Sequence, residues 1–147
     1  MEESDIAAVA ALDAICQGHP WVAGHFRDEL ARGDEGFSRV VVDSRGGIVG
    51  FVCCWTVLDE MHVGTISVDP AARRGGIGKT MISQAHEWAV GRGATAAHLE
   101  VRAGNAGAIA MYESMGYRRV GVRRAYYADN GEDAVLYFAD LTSGSAA

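Results

Sequence analysis

A short stretch of glycines and basic residues is the part of the sequence best suited to bind a charged ligand. Its members are Arg73, Arg74, Gly75, Gly76, Ile77, Gly78 and Lys79. A β-prone run before it ends at Asp69-Pro70, because proline lacks an N–H donor and restricts the preceding residue. Glycines let successive backbone N–H groups approach a ligand, and the positive end of the following helix attracts an anion. The stretch predicts a pyrophosphate site; the competing interpretation is a glycine-rich helix start that binds nothing.

The spacing of these glycines excludes two common nucleotide-binding loops. The triphosphate P-loop ends in Gly-Lys-Thr/Ser, as Gly78-Lys79-Thr80 does, but it needs an earlier glycine where this chain has Arg73. The dinucleotide pattern needs a third glycine where this chain has Met81. The remaining pattern is Arg-x-x-Gly-x-Gly, which begins at Arg73 and follows a short strand.

Hydrophobic spacing predicts the elements that position this loop. Helical spacing of apolar residues predicts four helices, over residues 6–16, 21–32, 79–91 and 106–115. Asp5 would cap the first helix and Asn105 the fourth. Ile15 would lie on the apolar stripe of the first helix and Val22 on that of the second. Strand-like runs cover residues 37–42, 48–58, 61–68, 96–102, 117–127 and 134–141. The order ααβββαβαββ predicts an α/β fold in which helices flank both faces of a mixed, mostly antiparallel central sheet.

Two of these elements present polar side chains that have more than one interpretation. Alternation in residues 96–102 places His98, Glu100 and Arg102 on one face of the strand. Glu100 is therefore either a reactive carboxylate or the partner of Arg102 in an ion pair. His98 is either a proton relay or, as we favour, a packed imidazole. Tyr112 lies on the apolar face of its helix, where it is a proton donor or a buried ring.

Length and composition predict one domain over residues 1–141 and a disordered tail over residues 142–147. No apolar run approaches the roughly 20 residues of a membrane span, and the acidic N-terminus is unlike a signal peptide, so we expect a cytoplasmic protein. The cysteines are Cys16, Cys53 and Cys54. Cys53 and Cys54 are neighbours on a strand and point to opposite faces, so no disulfide is expected. The five histidines lack the spacing of metal ligands, so no metal is expected.

The charge of the chain argues against a nucleic-acid partner. Nineteen acidic and thirteen basic residues give a net charge of -6, which is the wrong sign for binding phosphate backbones. A basic cluster late in the chain is formed by Arg118, Arg119, Arg123 and Arg124. We interpret this cluster as a solvated strand face and expect a basic substrate.

The pattern Arg73-x-x-Gly76-x-Gly78 resembles the acetyl-coenzyme A loop of the GNAT (Gcn5-related) N-acetyltransferases. Further matching segments are residues 99–103, Asn105, residues 108–117, Arg123-Arg124-x-Tyr126-Tyr127 and residues 132–134, with Pro20-Trp21 and residues 58–60 upstream. Together they resemble the RimI-type members, which acetylate the N-terminal alanine of a small-subunit ribosomal protein. Two glycines depart from the pattern: relatives often carry a longer polar residue at the position of Gly75 and a serine at the position of Gly104.

The resemblance implies an acetyl-CoA cosubstrate and assigns residues to it. The backbone of Ile66, Ser67 and Val68 would pair with the pantetheine arm, the loop from Arg73 to Lys79 would hold the pyrophosphate, and Asn105 would contact the cofactor. It also implies that Glu100 is the general base and Tyr112 the general acid. The chemistry is consistent, because a protonated amine must lose a proton before it attacks a thioester and the thiolate must gain one.

The acceptor is the least determined part of this hypothesis. The predicted substrate-binding residues are Trp21, Asp59, Glu60, Tyr126 and Tyr127. Glu60, with Asp59 as the second candidate, would attract the arginine that follows the N-terminal alanine of RimI-type substrates; the competing interpretation is that both merely cap a strand end. A small amine such as a polyamine or an aminoglycoside is the alternative acceptor. A coenzyme A-binding sensor without catalysis is the alternative from another class.

Overall fold

The computed structural model describes residues 1–17, 21–73, 75–126 and 131–142. Its helices are α1 (Ile6–Cys16), α2 (Ala23–Leu30), α3 (Ile77–Gly91) and α4 (Ala106–Ser114). Its strands are β1 (Gly36–Val42), β2 (Ile48–Val57), β3 (Glu60–Val68), β4 (Ala96–Arg102), β5 (Arg118–Arg123) and β6 (Ala134–Asp140). The predicted order of helices and strands is confirmed. Arg74, Tyr127 and all of the predicted tail except Thr142 lie outside the described residues.

The strands form one six-stranded sheet in the order β1-β2-β3-β4-β6-β5. β1 with β2, β4 with β6, and β5 with β6 are antiparallel. β3 runs parallel to β4, and their pairing joins Glu60, Met61 and His62 to Ala96, Ala97 and His98. The mixed, mostly antiparallel sheet is therefore confirmed.

The chain divides into two compact units, which we describe separately. The first unit comprises Met1–Trp55 and Gly64–Ala85, and the second comprises Thr56–Val63 and His86–Ala147. The core of the first unit contains Ile6, Val9, Leu12, Phe26, Phe51 and Cys53. Phe26 and Phe51 meet edge to face with ring centroids 5.4 Å apart. Burying each such side chain stabilises the fold by about 1.5–3 kcal/mol, so this cluster anchors α1 and α2.

The core of the second unit lies along β4 and β6. Leu99 and Val101 are buried, whereas Glu100 is exposed, as the predicted alternation requires. Across the pair, Leu99 is opposite Tyr137 and Val101 is opposite Val135. The helix α4 ends at Ser114 and is followed, after Met115, by Gly116, whose φ of +93° favours glycine.

Three local predictions about the first unit were wrong. Asp5 does not cap α1 through its side chain; its carboxylate accepts a hydrogen bond from Glu2 N at 2.7 Å and closes the preceding 3-10 turn. Ile15 and Val22 are 68% and 63% exposed instead of lying on apolar stripes. Glu29 is also buried in α2 together with Phe26, which the sequence pattern did not indicate, and its carboxylate accepts a hydrogen bond from Arg32 Nε at 2.7 Å.

Candidate functional site

The glycine loop of the first unit is built by a strand end, a short turn and a helix start. Asp69 ends β3 and stabilises the next turn, because its carboxylate accepts a hydrogen bond from Ala71 N at 2.9 Å. Gly76 has a φ of +78°, and its carbonyl accepts the bond from Thr80 N at 3.0 Å, within the first turn of α3. A Cβ added at Gly76 would meet no atom within 4 Å. The backbone here is exposed and shaped as an anion site at a helix N-terminus requires.

The end of β3 is held by side chains from α1 and from the loop. Gln17 Nε2 donates to Ile66 O at 3.3 Å. Val68 O accepts from the Cys16 thiol at 3.4 Å and from Arg73 Nε at 3.0 Å. The carbonyl groups of Ile66 and Val68, two of the three residues expected to pair with the pantetheine arm, are therefore already bonded.

A buried carboxylate links this strand to Trp21. Asp13 is 0% exposed and accepts hydrogen bonds from Trp21 N at 2.8 Å, Ser67 Oγ at 3.2 Å and Thr65 Oγ1 at 3.3 Å. Burial raises the pKa of Asp13, and these hydrogen bonds lower it by a smaller amount. Sequence reasoning missed Asp13, although an acidic residue next to Leu12 on the apolar stripe was a usable signal.

The aromatic ring of Trp21 packs close to the strand. Its centroid lies 5.3 Å from that of Phe26. At Gly64, an added Cβ would come within 2.3 Å of Trp55 and 3.0 Å of Trp21. The glycine is therefore required by the two indoles, so in the first unit Trp21 is fixed by both its backbone and its ring.

In the second unit Glu100 lies on the exposed face of β4 beside Arg123. Arg123 Nη2 is 3.5 Å from Glu100 Oε1, and the guanidinium also lies over the Tyr126 ring, 5.5 Å from its centroid. Arg102 Nη1 lies 3.5 Å from Glu132 Oε1. Glu100 therefore has an ion-pair partner on β5 that the sequence pattern did not indicate.

Tyr112 is buried in α4, as the sequence predicts. It is 4% exposed, and its ring meets the edge of Tyr117 with centroids 5.5 Å apart. The Tyr117 hydroxyl is 2.7 Å from a ring nitrogen of His86, which sequence reasoning did not single out. At the start of α4, Asn105 Oδ1 accepts a hydrogen bond from Ala108 N at 3.2 Å, so its cap is confirmed.

The two acidic acceptor candidates have different surroundings. The Asp59 carboxylate accepts from Thr95 Oγ1 at 3.2 Å, and its carbonyl accepts from Thr95 N at 2.7 Å, so Asp59 stabilises the turn before β3. Glu60 faces two imidazoles: Oε1 is 3.4 Å from His98 Nε2 and Oε2 is 3.8 Å from His62 Nε2. His98 is therefore half-buried beside a carboxylate instead of a packed core imidazole.

Other titratable groups in the second unit are also paired. The Tyr137 hydroxyl donates to Glu113 Oε2 at 2.9 Å, and burial together with this carboxylate raises the pKa of Tyr137.

Within the described ranges no group of three or more His, Cys, Asp or Glu side chains has metal-binding geometry. None of the helices in the part of the chain that the structure describes could cross a membrane.

Comparisons with known proteins identify the family. The profile of the acetyltransferase (GNAT) family matches residues 6–117. The chain is 32% identical over 138 residues to the Escherichia coli K12 [ribosomal protein bS18]-alanine N-acetyltransferase, covering 92% of this chain and 91% of the relative. It is 38% identical over 119 residues to the Mycobacterium tuberculosis N-alpha-acetyltransferase RimI, covering 78% and 72%.

The fold agrees with this sequence similarity. The crystal structure of the ribosomal-protein-S18-alanine N-acetyltransferase from Escherichia coli superposes with a TM-score of 0.85 at 31% identity, and covers 96% of this chain and 90% of that one. The resemblance noted in the sequence and the predicted acetyl-CoA-dependent N-acetyltransferase class are confirmed. The chain belongs to the GNAT family of acetyltransferases.

Proposed function

We propose that this enzyme transfers the acetyl group of acetyl-CoA to the α-amine of an N-terminal alanine, on a small-subunit ribosomal protein. The observation that carries the proposal is the similarity to the Escherichia coli enzyme, which is named for this reaction on bS18 and spans nearly the whole chain. Residues 1–141 would be the catalytic domain. The reaction would take place in the cytoplasm, and its peptide acceptor would be basic.

We assign the cofactor to the glycine loop and the end of β3 in the first unit. The exposed backbone at Gly76, with open space beside it, suits a pyrophosphate at the start of α3. Lys79 is exposed on the first turn of the same helix and would add positive charge. Arg73 and Gln17 would release the carbonyl groups of Val68 and Ile66 as the pantetheine arm takes their place. Asn105 keeps the cofactor contact that the resemblance implies.

We assign proton transfer to Glu100 and Tyr112. Glu100 would accept the proton that the acceptor amine loses, either directly or through one water molecule. The neutral nitrogen would then attack the thioester carbonyl, the C–S bond would break, and Tyr112 would donate its hydroxyl proton to the departing thiolate. As the amide forms, its nitrogen would lose a second proton, which would return to Tyr112 through solvent. Arg123 would orient Glu100 through the ion pair observed between them.

We assign the acceptor peptide to the aromatic and acidic residues predicted to bind it. Trp21 is held by Asp13, and Tyr126 is 49% exposed, so each offers an aromatic surface to a peptide. Tyr127 lies outside the described residues and keeps its predicted role. Of the two acidic candidates we retain Glu60 for the cationic side chain, because Asp59 is engaged by Thr95.

An acetylation assay with defined peptides tests the proposal. Peptides that begin with Ala-Arg, Ala-Ala and Ser-Arg should be compared with spermidine and an aminoglycoside at equal concentration. We expect the alanine peptides to have the highest kcat/KM. The two small amines are included because a nourseothricin acetyltransferase of known structure is 31% identical in sequence to this chain, with a TM-score of 0.69, and covers 73% of it. Preferential acetylation of either small amine would refute the peptide assignment, and no turnover at all would favour the sensor.

A further inference from the structure

The second unit contains a cluster of one carboxylate and two imidazoles, Glu60, His62 and His98, which the proposed proton-transfer steps do not use. His62 and His98 are directly paired across β3 and β4, and their rings stack with centroids 5.6 Å apart. Each imidazole Nε2 approaches a different oxygen of Glu60, at 3.8 Å for His62 and 3.4 Å for His98. The two rings therefore share one carboxylate between them.

One imidazole nitrogen of this cluster is unsatisfied, and its carboxylate is open to solvent. The Nε2 atom of His98 is buried and, among the described residues, has no hydrogen-bond partner despite its 3.4 Å approach to Glu60. The side chain of Glu60 is 48% exposed. A cation from outside can therefore reach the same oxygens that the imidazoles face, and a guanidinium would make shorter, better directed bonds to them.

The cluster lies one step along β4 from the proposed base. His98 and Glu100 are two residues apart on the same face of β4, a separation of about 7 Å along a strand. A peptide whose amine is at Glu100 can extend its second side chain over that distance. The subsite next to Glu100 would then be formed by Glu60 and its two imidazoles.

We propose that His62 and His98 determine acceptor specificity by competing with the acceptor's second, cationic side chain for Glu60. This inference rests on the proposed acetylation of N-terminal peptides. Imidazole is the side chain that ordinarily changes its charge between pH 5 and 8. When the imidazoles are protonated, they pair with Glu60 and exclude the cation; when they are neutral, the carboxylate is available.

Other charged groups on the elements packed around this cluster complete its electrostatics. They are Glu100 and Arg102 on β4, Arg118 on β5, Asp140 on β6 and Asp59 in the turn before β3. Arg118 lies over the Phe138 ring at 5.3 Å, and that ring packs on His98 with centroids 5.2 Å apart. Competition at Glu60 should therefore depend on pH through the two imidazoles and on salt through all of these charges.

The test is the ratio of KM values for an Ala-Ala and an Ala-Arg peptide, measured at pH 6 and pH 8. Both peptides carry the same α-amine, so its own titration cancels in the ratio. For the wild type we expect the ratio to rise by about threefold to fivefold between the two pH values, the range of a partly exposed ion pair. In His62→Gln, His98→Gln and the double variant the ratio should be high at pH 6 and change little. Glu60→Gln should bring it close to one at both.

Three outcomes would overturn the inference and leave the proposed function standing, and a fourth would overturn both. A wild-type ratio that does not change with pH excludes competition, and this measurement needs no variant to fold. Histidine variants that reproduce the wild-type pH dependence exclude these imidazoles, and a Glu60→Gln variant that keeps the preference for arginine excludes the carboxylate. If neither peptide is acetylated while acetyl-CoA still binds, the proposed acceptor is wrong and the inference falls with it.

Discussion

Replacement of Gly76 by asparagine should weaken acetyl-CoA binding much more than it weakens the fold. Gly76 has a φ of +78°, a region where asparagine is the best tolerated residue after glycine. A Cβ added there would contact no protein atom within 4 Å, so the new side chain would occupy the space assigned to the pyrophosphate. The change therefore separates a cost to ligand binding from a cost to packing.

The magnitudes follow from the geometry at this position. The left-handed backbone costs a non-glycine residue about 1 kcal/mol, which corresponds to a fall in Tm of roughly 2–4 °C for a chain of this size. Loss of one or two backbone hydrogen bonds to a charged phosphate costs about 1.5–3 kcal/mol. Since 1.4 kcal/mol is a factor of about ten, the Kd of acetyl-CoA should rise by roughly 10- to 100-fold.

Gly93→Asn is the matched control. Gly93 has a φ of +91° and, like Gly76, open space around an added Cβ, but it follows α3 in the chain and is outside the glycine loop. Isothermal titration calorimetry should give the wild-type Kd for Gly93→Asn, and urea denaturation should give similar losses of unfolding free energy for both variants. Equal Kd values for Gly76→Asn and Gly93→Asn would refute the phosphate assignment.

Three further predictions address catalysis, stability and thiol chemistry. Glu100→Gln and Tyr112→Phe should each lower kcat by about 10²- to 10⁴-fold with little change in cofactor Kd, measured by single-turnover kinetics; wild-type rates in both would exclude the proposed roles. Asp13→Ala should lower the free energy of unfolding by about 2–4 kcal/mol, because three buried donors lose their acceptor. Burial raises the pKa of Asp13 above its ordinary value near 4, so in a window above pH 4 the unfolded carboxyl is ionised while the folded one is still protonated. Relative to Asp13→Asn, the wild type should therefore lose stability as the pH rises from about 4, until the folded carboxyl has ionised too. Burial raises the pKa of Cys53 to about 12, so iodoacetamide should label the half-buried Cys16 first and reach Cys53 only on unfolding. Equal labelling of the two thiols in the native state would contradict the packing.

The histidine cluster changes how the acceptor preference should be studied. Because an imidazole ordinarily changes its charge between pH 5 and 8, the proposed preference for arginine should be measured at more than one pH. A salt series at each pH separates the two contributions, because screening weakens a partly exposed ion pair. Peptide selectivity in this enzyme is therefore best described as a function of pH and salt together.

Local pattern in the sequence was sufficient for the element order and for the loop. Helix and strand periodicities are properties of neighbouring residues, so α3, β4 and the cap at Asn105 were predicted correctly. The glycine at position 76 was recognisable because a tight turn before a helix needs a residue that tolerates positive φ. The alternation of β4 likewise predicted that Glu100 is exposed while Leu99 and Val101 are buried.

Partners distant in the chain were decided only by the tertiary structure. Glu100 pairs with Arg123 of β5, and the sequence did not indicate this partner because strand alternation says nothing about the other strands of the sheet. Asp13 looked like an ordinary polar position until the fold placed Trp21 and Ser67 around it. Such contacts depend on strand order and register, which long-range hydrophobic packing determines. Which groups surround a carboxylate is therefore a property of the folded chain, whereas the presence and face of that carboxylate can be predicted from its neighbours in sequence.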